Sequence, residues 1–293
     1  MNCLVTSSGS TNGVNIIKAL KGHRIIAVDC DELSAGLYMS DVWFVVPKAT
    51  DPRYKEVMID IVRREQIDII FPSFSEEIKV LNGIEELNNK LVVSPRKVYE
   101  LTENKILCKA FIRNLGFITP EQYPNSYPMM VKPIVGTGSK DTVKVNTPEE
   151  RDFYLKKDMF YEEFIEGVEY TIDGVSDFEG KMVCCLPRIR LEKKGGLATK
   201  CITEHNEELY KLCKKIVETM KLVGVWNVQC IKREGKYYFI DINNRFPSGG
   251  MPLATASGLN IPEILIDILK GNKVTPTLVY GKTMIRYYDA VIL

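Results

Sequence analysis

The run Tyr237 to Gly250, YYFIDINNRFPSGG, limits most strictly what this chain can fold into. Tyr237 to Ile240 form an apolar, aromatic stretch with the character of a buried strand, and it leads directly into Asp241, Asn243 and Arg245 at alternate positions. Strand side chains alternate between faces, so these three polar groups share one face while Ile242 takes the other. Such a strand needs a sheet with an apolar layer behind it and a polar face in front. Carboxylate and amide oxygens are hard ligands suited to Mg²⁺, which keeps waters and draws the rest of its shell from substrate phosphates. Arg245 is then placed to meet the phosphate end. On this stretch alone, a solvated strand edge is the competing reading.

The start of the chain sets the fold class. Residues 3 to 8 read as a strand, Gly9 to Gly13 as a turn, the next residues to Leu20 as a helix, and Arg24 to Cys30 as a second strand ending in acids Asp29 and Asp31. That order opens a doubly wound α/β unit. The turn reads G-S-T-N-G and lacks GxGxxG, which weighs against a dinucleotide site. Strands at 42–46 and 67–72, a helix at about 52–65, a helix capped by Ser75 and a short strand at 91–94 close the first unit near residue 95. Ser7 to Ser10 and Glu76 or Glu77 lie where ligands collect in open α/β sheets. Glu76 is a candidate for a substrate ammonium, with plain solvation as its alternative.

Beyond residue 100 the pattern changes. Thr102 caps a helix running to Leu115, with Lys105 in its first turn, where a solvated lysine is the default. Met129 to Val131 form a strand that presents Lys132, and Gly136-Thr137-Gly138-Ser139 turns into a second strand at 142–145. A Gly-rich hairpin lets backbone amides approach phosphate oxygens, with a nearby lysine supplying charge; glycines also make ordinary turns. Residues 181–191 form a long strand with Arg188 and Arg190 on one face, and Lys193 to Gly196 a basic loop suited to a lid. An amphipathic helix at 204–222 leads to the strand 226–233, which Glu234-Gly235 turns into an antiparallel hairpin with the Asp241 strand. Asn227 and Gln229 therefore neighbour Asp241 and Asn243. A helix at 261–269 and a strand at 283–293 follow.

Composition excludes several classes. Lys plus Arg number 39 against 38 Asp plus Glu, which leaves no broad basic surface for nucleic acid. No apolar run approaches the ~20 residues that span a bilayer, and MNCLVTSSGS reads as a first strand and not a signal peptide. Eight cysteines without a CxxC pair fit reduced, buried thiols in a cytoplasmic protein, with vicinal Cys184 and Cys185 facing opposite ways. His23 and His205 look like surface positions, so neither a His-based metal site nor a Ser-His-Asp triad is supported.

Taken in order, a lysine at a helix start, Lys132 before the Gly-rich hairpin, E-E-F-I followed by G-x-E, an arginine strand, N-V-Q and D-I-N-N-R resemble the ATP-grasp superfamily, most closely its carbamoyl-phosphate-synthase-large-subunit-like branch. The resemblance covers nearly the whole chain. It implies an α/β fold, α+β in the ATP-binding part, with a Rossmann-like pre-ATP-grasp domain at 1–100 and an ATP-grasp domain at 101–293, divided into a small lobe at about 115–165 and a large lobe at about 166–293. It also implies that Lys105 and Lys132 contact the α and β phosphates of ATP and that Gly136, Thr137, Gly138 and Ser139 fold over the β and γ phosphates. Glu162, Glu163, Phe164 and Ile165 would line the adenine, largely through backbone groups at the hinge, and Glu169 would bind the ribose. Gln229, Asp241 and Asn243 would hold Mg²⁺ or Mn²⁺, and Arg245 would steady the transferring phosphoryl. Arg188, with Arg190, would grip an acyl phosphate or substrate carboxylate, against the alternative of structural ion pairs across the sheet. The family's metal strand usually reads E-x-N-P-R; Asp241 shortens the ligand and Asn244 replaces a rigid proline.

The implied activity is ATP-dependent ligation of a carboxylate to an amine or a thiol through an acyl phosphate, releasing ADP and phosphate. The substrates would be small molecules, with neither nucleic acid nor membrane as partner; the oligomeric state is left open, a homodimer being one option. An ATP-binding accessory subunit without turnover, a phosphotransferase and a half-size carbamoyl-phosphate-synthase-like subunit stand beside it.

Overall fold

The structure, a computed structural model, describes residues 1–136 and 141–293. Its first unit holds β1 (Asn2–Val5), α1 (Thr11–Ala19), β2 (Arg24–Asp29), β3 (Val42–Val45), α2 (Tyr54–Arg64), β4 (Ile69–Phe71) and α3 (Ser75–Leu81). The strands form a parallel sheet in the order β3-β2-β1-β4, as the strand-turn-helix-strand pattern predicts. Ser10 caps α1 by accepting from the Gly13 amide. Gly13 also allows α1 to sit on the end of β1, since a Cβ there would meet the Ser7 carbonyl at 2.6 Å. Asp29 accepts from the Gly9 amide at 2.8 Å, so the acid ending β2 holds the turn after β1.

A helix α4 (Arg96–Glu103) lies mostly ahead of the one expected over 102–115, which is α5 (Lys105–Asn114). Thr102 is inside α4 and bonds the Tyr99 carbonyl, while Asn104 caps α5 through the Ile106 and Leu107 amides. Residue 100, the expected domain boundary, falls inside α4. Ser75 likewise is the first helical residue of α3, and Phe74 occupies the cap position without a side-chain bond.

The remaining elements build two antiparallel sheets. A small one, in the order β6-β5-β7, contains β5 (Met129–Pro133), β6 (Val143–Val145) and β7 (Met159–Glu163), with α6 (Pro148–Tyr154) packed on it. The large one contains β8 (Val168–Ser176), β9 (Met182–Lys194), β10 (Leu197–Thr203), β11 (Gly224–Arg233), β12 (Lys236–Asn243) and β13 (Thr283–Ile285), in the order β12-β11-β8-β9-β10-β13. Between its strands run α7 (Glu207–Met220), α8 (Met251–Ala256) and α9 (Ile261–Leu269). Lys193 to Gly196, read from sequence as a loop, is the tip of the β9-β10 hairpin, and the strand expected over 283–293 pairs only over 283–285.

One apolar layer crosses the chain. Val5, Ile16 and Phe71 of the first unit, Val175 and Leu186 of the large sheet, and Phe246, Met251 and Leu265 after it belong to a single buried cluster. A second cluster behind β8, β9, β11 and β12 contains Cys108 and Ile112 of α5 with the buried face of α7. Cys184 and Cys185 fall one in each cluster, as strand alternation requires. Seven of the eight cysteines are buried and Cys30 is exposed. Among the described residues no helix is long and apolar enough to cross a membrane.

Glu76 is exposed, whereas Glu77 is buried and accepts from Thr6 Oγ1 at 2.5 Å and from the Tyr54 hydroxyl at 3.1 Å. Burial pushes its carboxyl up to about 7, with the hydrogen bonds from Thr6, Ser7 and Tyr54 opposing. The folded state therefore holds a proton that the unfolded chain releases near 4.5. Stability falls as pH rises through that window and levels off above about 7, a decline of up to about 3 kcal/mol. Glu77→Gln is expected to flatten this decline in denaturant unfolding measured between pH 5 and pH 8. An unchanged decline would assign it to other groups.

Candidate active site

Glu234 and Gly235 take positive φ values of 49° and 76° and close the β11-β12 hairpin in two residues. Asn227 stands opposite Asn243 and Gln229 opposite Asp241, as the sequence predicts. Alternation alone does not predict how this register arises. Gln229 pairs with Asp241 but Cys230 pairs with Phe239, so Ile240 is an extra residue on β12. A bulge of this kind re-aims side chains. Tyr237, Phe239 and Ile242 enter the core behind the sheet, while Ile240 joins Asp241 on the wall of a cavity.

That cavity, about 450 Å³, lies between the small and large sheets. It brings together Lys105, Lys132 and Gly136 with Glu162, Glu163, Phe164 and Ile165, and reaches Glu169, Gln229 and Asp241 at its far side. Thr137, Gly138 and Ser139 lie outside the described residues. Met130, Ile231 and Ile240 add apolar wall suited to a planar ring. Lys105 Nζ donates to the Gly136 carbonyl at 2.7 Å, tying α5 to the chain just past β5. Glu163 accepts from Arg233 at 2.8 Å, and the Lys144 ammonium sits 4.0 Å over the Phe164 ring. Glu162 is buried and binds two lysines, Lys132 at 2.5 Å and Lys109. Burial favours the neutral acid, but the two ammonium groups outweigh it and hold the Glu162 carboxyl below its usual range.

A second cavity, about 340 Å³, shares Arg190, Gln229 and Asp241 with the first and adds Thr171, Arg188, Asn227, Asn243 and Arg245. Both strand arginines are ion-paired across β8-β9. Arg188 binds buried Asp173 through Nε at 2.7 Å and Nη2 at 3.3 Å. Arg190 binds Glu169 at 2.6 Å, and Lys193 from the hairpin tip holds the other oxygen of Glu169. Each guanidinium nevertheless keeps an N–H to spare. Arg188 Nη1, Arg190 Nε, Arg245 Nε and Thr171 Oγ1 are buried without a partner among the described residues. Orphaned buried donors cost free energy unless something fills them, and four at one cavity suit an anion.

Asp241, Gln229 and Asn243 supply one carboxylate and two amides. Asn243 donates to Asp241 Oδ2 at 3.1 Å and accepts from Arg245 at 3.1 Å. Asp241 Oδ1 and Gln229 Oε1 accept no hydrogen bond among the described residues, and no group of three His, Cys, Asp or Glu side chains is gathered there. Oxygen donors with a single charge fit one Mg²⁺ that takes the rest of its shell from phosphate and water; Mn²⁺ shares the preference. Asn244, in the position of the rigid proline, is buried and donates to the carbonyls of Val223 (3.2 Å) and Val225 (2.8 Å). Its amide secures the turn after β12 by hydrogen bonds.

Two residues escaped the sequence reading. Lys109 is 1% exposed behind Glu162, and its spacing of four from Lys105 within the apolar face of α5 was the available signal. Arg286, just past β13, donates to the Ser248 carbonyl at 2.7 Å and leaves Nε buried and unpartnered among the described residues. Nothing in the sequence around it marks that role.

The two-lobed cavity on this framework defines an ATP-grasp architecture, and comparison with known proteins agrees. Residues 3–95 match the PylC-like N-terminal domain, and residues 156–289 match the family described as ATP-grasp in the biosynthetic pathway with Ter operon. The carbamoyl phosphate synthase large chain of Thermotoga petrophila is 22% identical over 270 residues, covering 78% of this chain and 24% of that protein. The chain thus spans about a quarter of the length of such relatives. The biotin carboxylase domain of Hydrogenobacter thermophilus 2-oxoglutarate carboxylase, solved with MgADP, ADP and bicarbonate, superposes with a TM-score of 0.77 at 16% identity, covering 96% of this chain and 73% of that one. The L-amino acid ligase from Bacillus licheniformis gives a TM-score of 0.70 at 19% identity, covering 94% and 75%. The chain thus has the ATP-grasp fold, and residues 156–289 match an ATP-grasp family model.

Asp173→Asn strips from Arg188 its one carboxylate partner among the described residues and leaves a buried cation uncompensated, at a cost of about 3–5 kcal/mol in denaturant unfolding. Adding Arg188→Met is expected to recover most of that loss, as measured by the same unfolding midpoint.

Proposed function

We propose that this protein is an ATP-dependent ligase that joins a small-molecule carboxylate to an amine through an acyl phosphate, forming ADP and phosphate. The observation that carries the reading is the meeting of the two cavities at Gln229 and Asp241. The larger, with an apolar wall and paired lysines, suits an adenine nucleotide; the smaller, with its spare guanidinium donors, suits the acid. The reacting ends of both substrates would come together at the oxygen donors of β11 and β12.

Joining an acid to an amine in water is uphill, so the carboxylate must first be activated. Mg²⁺, held by Asp241, Gln229 and Asn243, would neutralise charge on the phosphates. Lys105 and Lys132 bind the phosphate chain, and Arg245 meets the γ-phosphoryl as it passes to the acid. This chemistry demands positioning and cations more than a nucleophile. Arg188 and Arg190, fixed by Asp173 and Glu169, present donors to the acid or its acyl phosphate. The β9-β10 tip, lining both cavities through Gly195 and Gly196, would keep water from the acyl phosphate. A thiol would serve in place of the amine. The single carboxylate at the metal position favours a second reading, an ATP-binding accessory subunit without turnover. Seven buried cysteines support a cytoplasmic setting.

The deciding assay follows nucleotide products with MgATP, pooled acids and pooled amines, with hydroxylamine in half the samples. ADP release that depends on one acid pool and yields a hydroxamate is expected, with a loss of about 10²-fold or more in Asp241→Ala. AMP as product would sink the acyl-phosphate route, and tight ATP binding without turnover would favour the accessory reading.

A further inference from the structure

Glu162 carries two ammonium groups that differ in their surroundings. Lys132, on β5, has 13% of its side chain exposed and lines the larger cavity. Lys109, on α5, has 2% exposed and lies behind the cavity wall, its ammonium 5.7 Å from the centre of the Phe160 ring. Its neighbours on the helix, Cys108 and Ile112, are apolar and buried. A buried ammonium carries a desolvation cost of several kcal/mol, and an apolar side chain of the same length would fill this space without it. Packing therefore does not explain a lysine here.

Charge does. A lone Lys132–Glu162 pair is neutral, whereas Lys109, Glu162 and Lys132 together carry +1, and the cation at the front faces the cavity. We infer that Lys109 is a positioning residue, a buried counter-cation that takes up the charge of Glu162 from behind and so leaves the Lys132 ammonium for the phosphates of the nucleotide. The inference rests on the nucleotide reading of this cavity. Asp241 on β12 and Lys105 on the same helix are the other charged groups near the cluster. Burial pushes the Lys109 ammonium down to about 8, with Glu162 opposing, so it stays charged at neutral pH.

The test is calorimetric titration of the full chain with adenosine, ADP and MgATP, for wild type, Lys109→Met, Glu162→Gln and the double variant. Lys109→Met is expected to weaken ADP and ATP by about tenfold or more while adenosine changes by less than about threefold, because only the phosphates feel the lost charge. The double variant is expected to regain most of that loss, since Lys132 is again a net cation. Equal losses for adenosine and ATP, or a folded double variant no better than the single one, would show a merely structural lysine and overturn the inference. Should Lys109→Met fail to fold, Glu162→Gln and the double variant decide: with Glu162 neutral, buried Lys109 loses the partner that holds it charged, so the two should bind ATP alike, and a further loss in the double overturns the role. Wild type that binds none of the three ligands overturns the nucleotide reading before any variant is compared. Wild type that binds ATP, with Lys109→Met behaving identically, overturns the role of Lys109 alone.

Discussion

One extra residue in β12 sets the geometry on which the cleft depends. Counting outward from the turn at Glu234-Gly235 without a bulge would set Ile240 opposite Gln229 and Asp241 opposite Val228, on the core side of the sheet. Inserting Ile240 restores Asp241 to the face of Gln229 and keeps Phe239 and Ile242 in the apolar layer with Val228. The hairpin is tight and its core contacts are dense, so that register is strongly specified. The polar groups that β11 and β12 turn into the cleft are placed by it.

Around this register the protein disposes its charges in pairs and triplets. Asp173 fixes Arg188, Glu169 gathers Arg190 and Lys193, and Glu162 gathers Lys109 and Lys132. Each carboxylate restrains a long cationic side chain and spends only part of its donors. The cations are thereby ordered before any ligand arrives, which lowers the entropy lost on binding. Asn244 belongs to the same economy of restraint: two amide hydrogen bonds, to the carbonyl of Val223 just before β11 and of Val225 within it, do the work of a stiff ring.

Much of this was legible in the sequence, for identifiable reasons. Strand alternation placed Asp241, Asn243 and their partners on β11, and the Gly-containing turn with its flanking strands gave the parallel sheet. What escaped it depended on contacts remote in sequence. The bulge at Ile240 follows from pairing across the hairpin, and the cap of the expected helix falls at Asn104 and not at Thr102, which belongs to the preceding helix α4. The strand β10 fell between the loop read at 193–196 and the helix read from 204, because its residues, LATKCIT, carry only a weak apolar alternation. Arg286 reaches its place only through the pairing of β13 with β10.

The layer shared by the first unit and the large sheet has a consequence for dissecting the molecule. Phe71 meets Phe246 edge-on at 6.3 Å, Asn12 bonds the Phe246 carbonyl, and Gly224 at φ 72° passes so close to Val92 that a Cβ there would lie 2.0 Å from its carbonyl. The stretch matching a recognised N-terminal domain ends at residue 95, yet one of the two apolar faces of its sheet is covered in part by residues between 246 and 268. A fragment cut at that boundary would display this face to water as a sticky patch. The smallest autonomous piece is therefore discontinuous in the chain, and the modular look of the sequence overstates how separable its parts are.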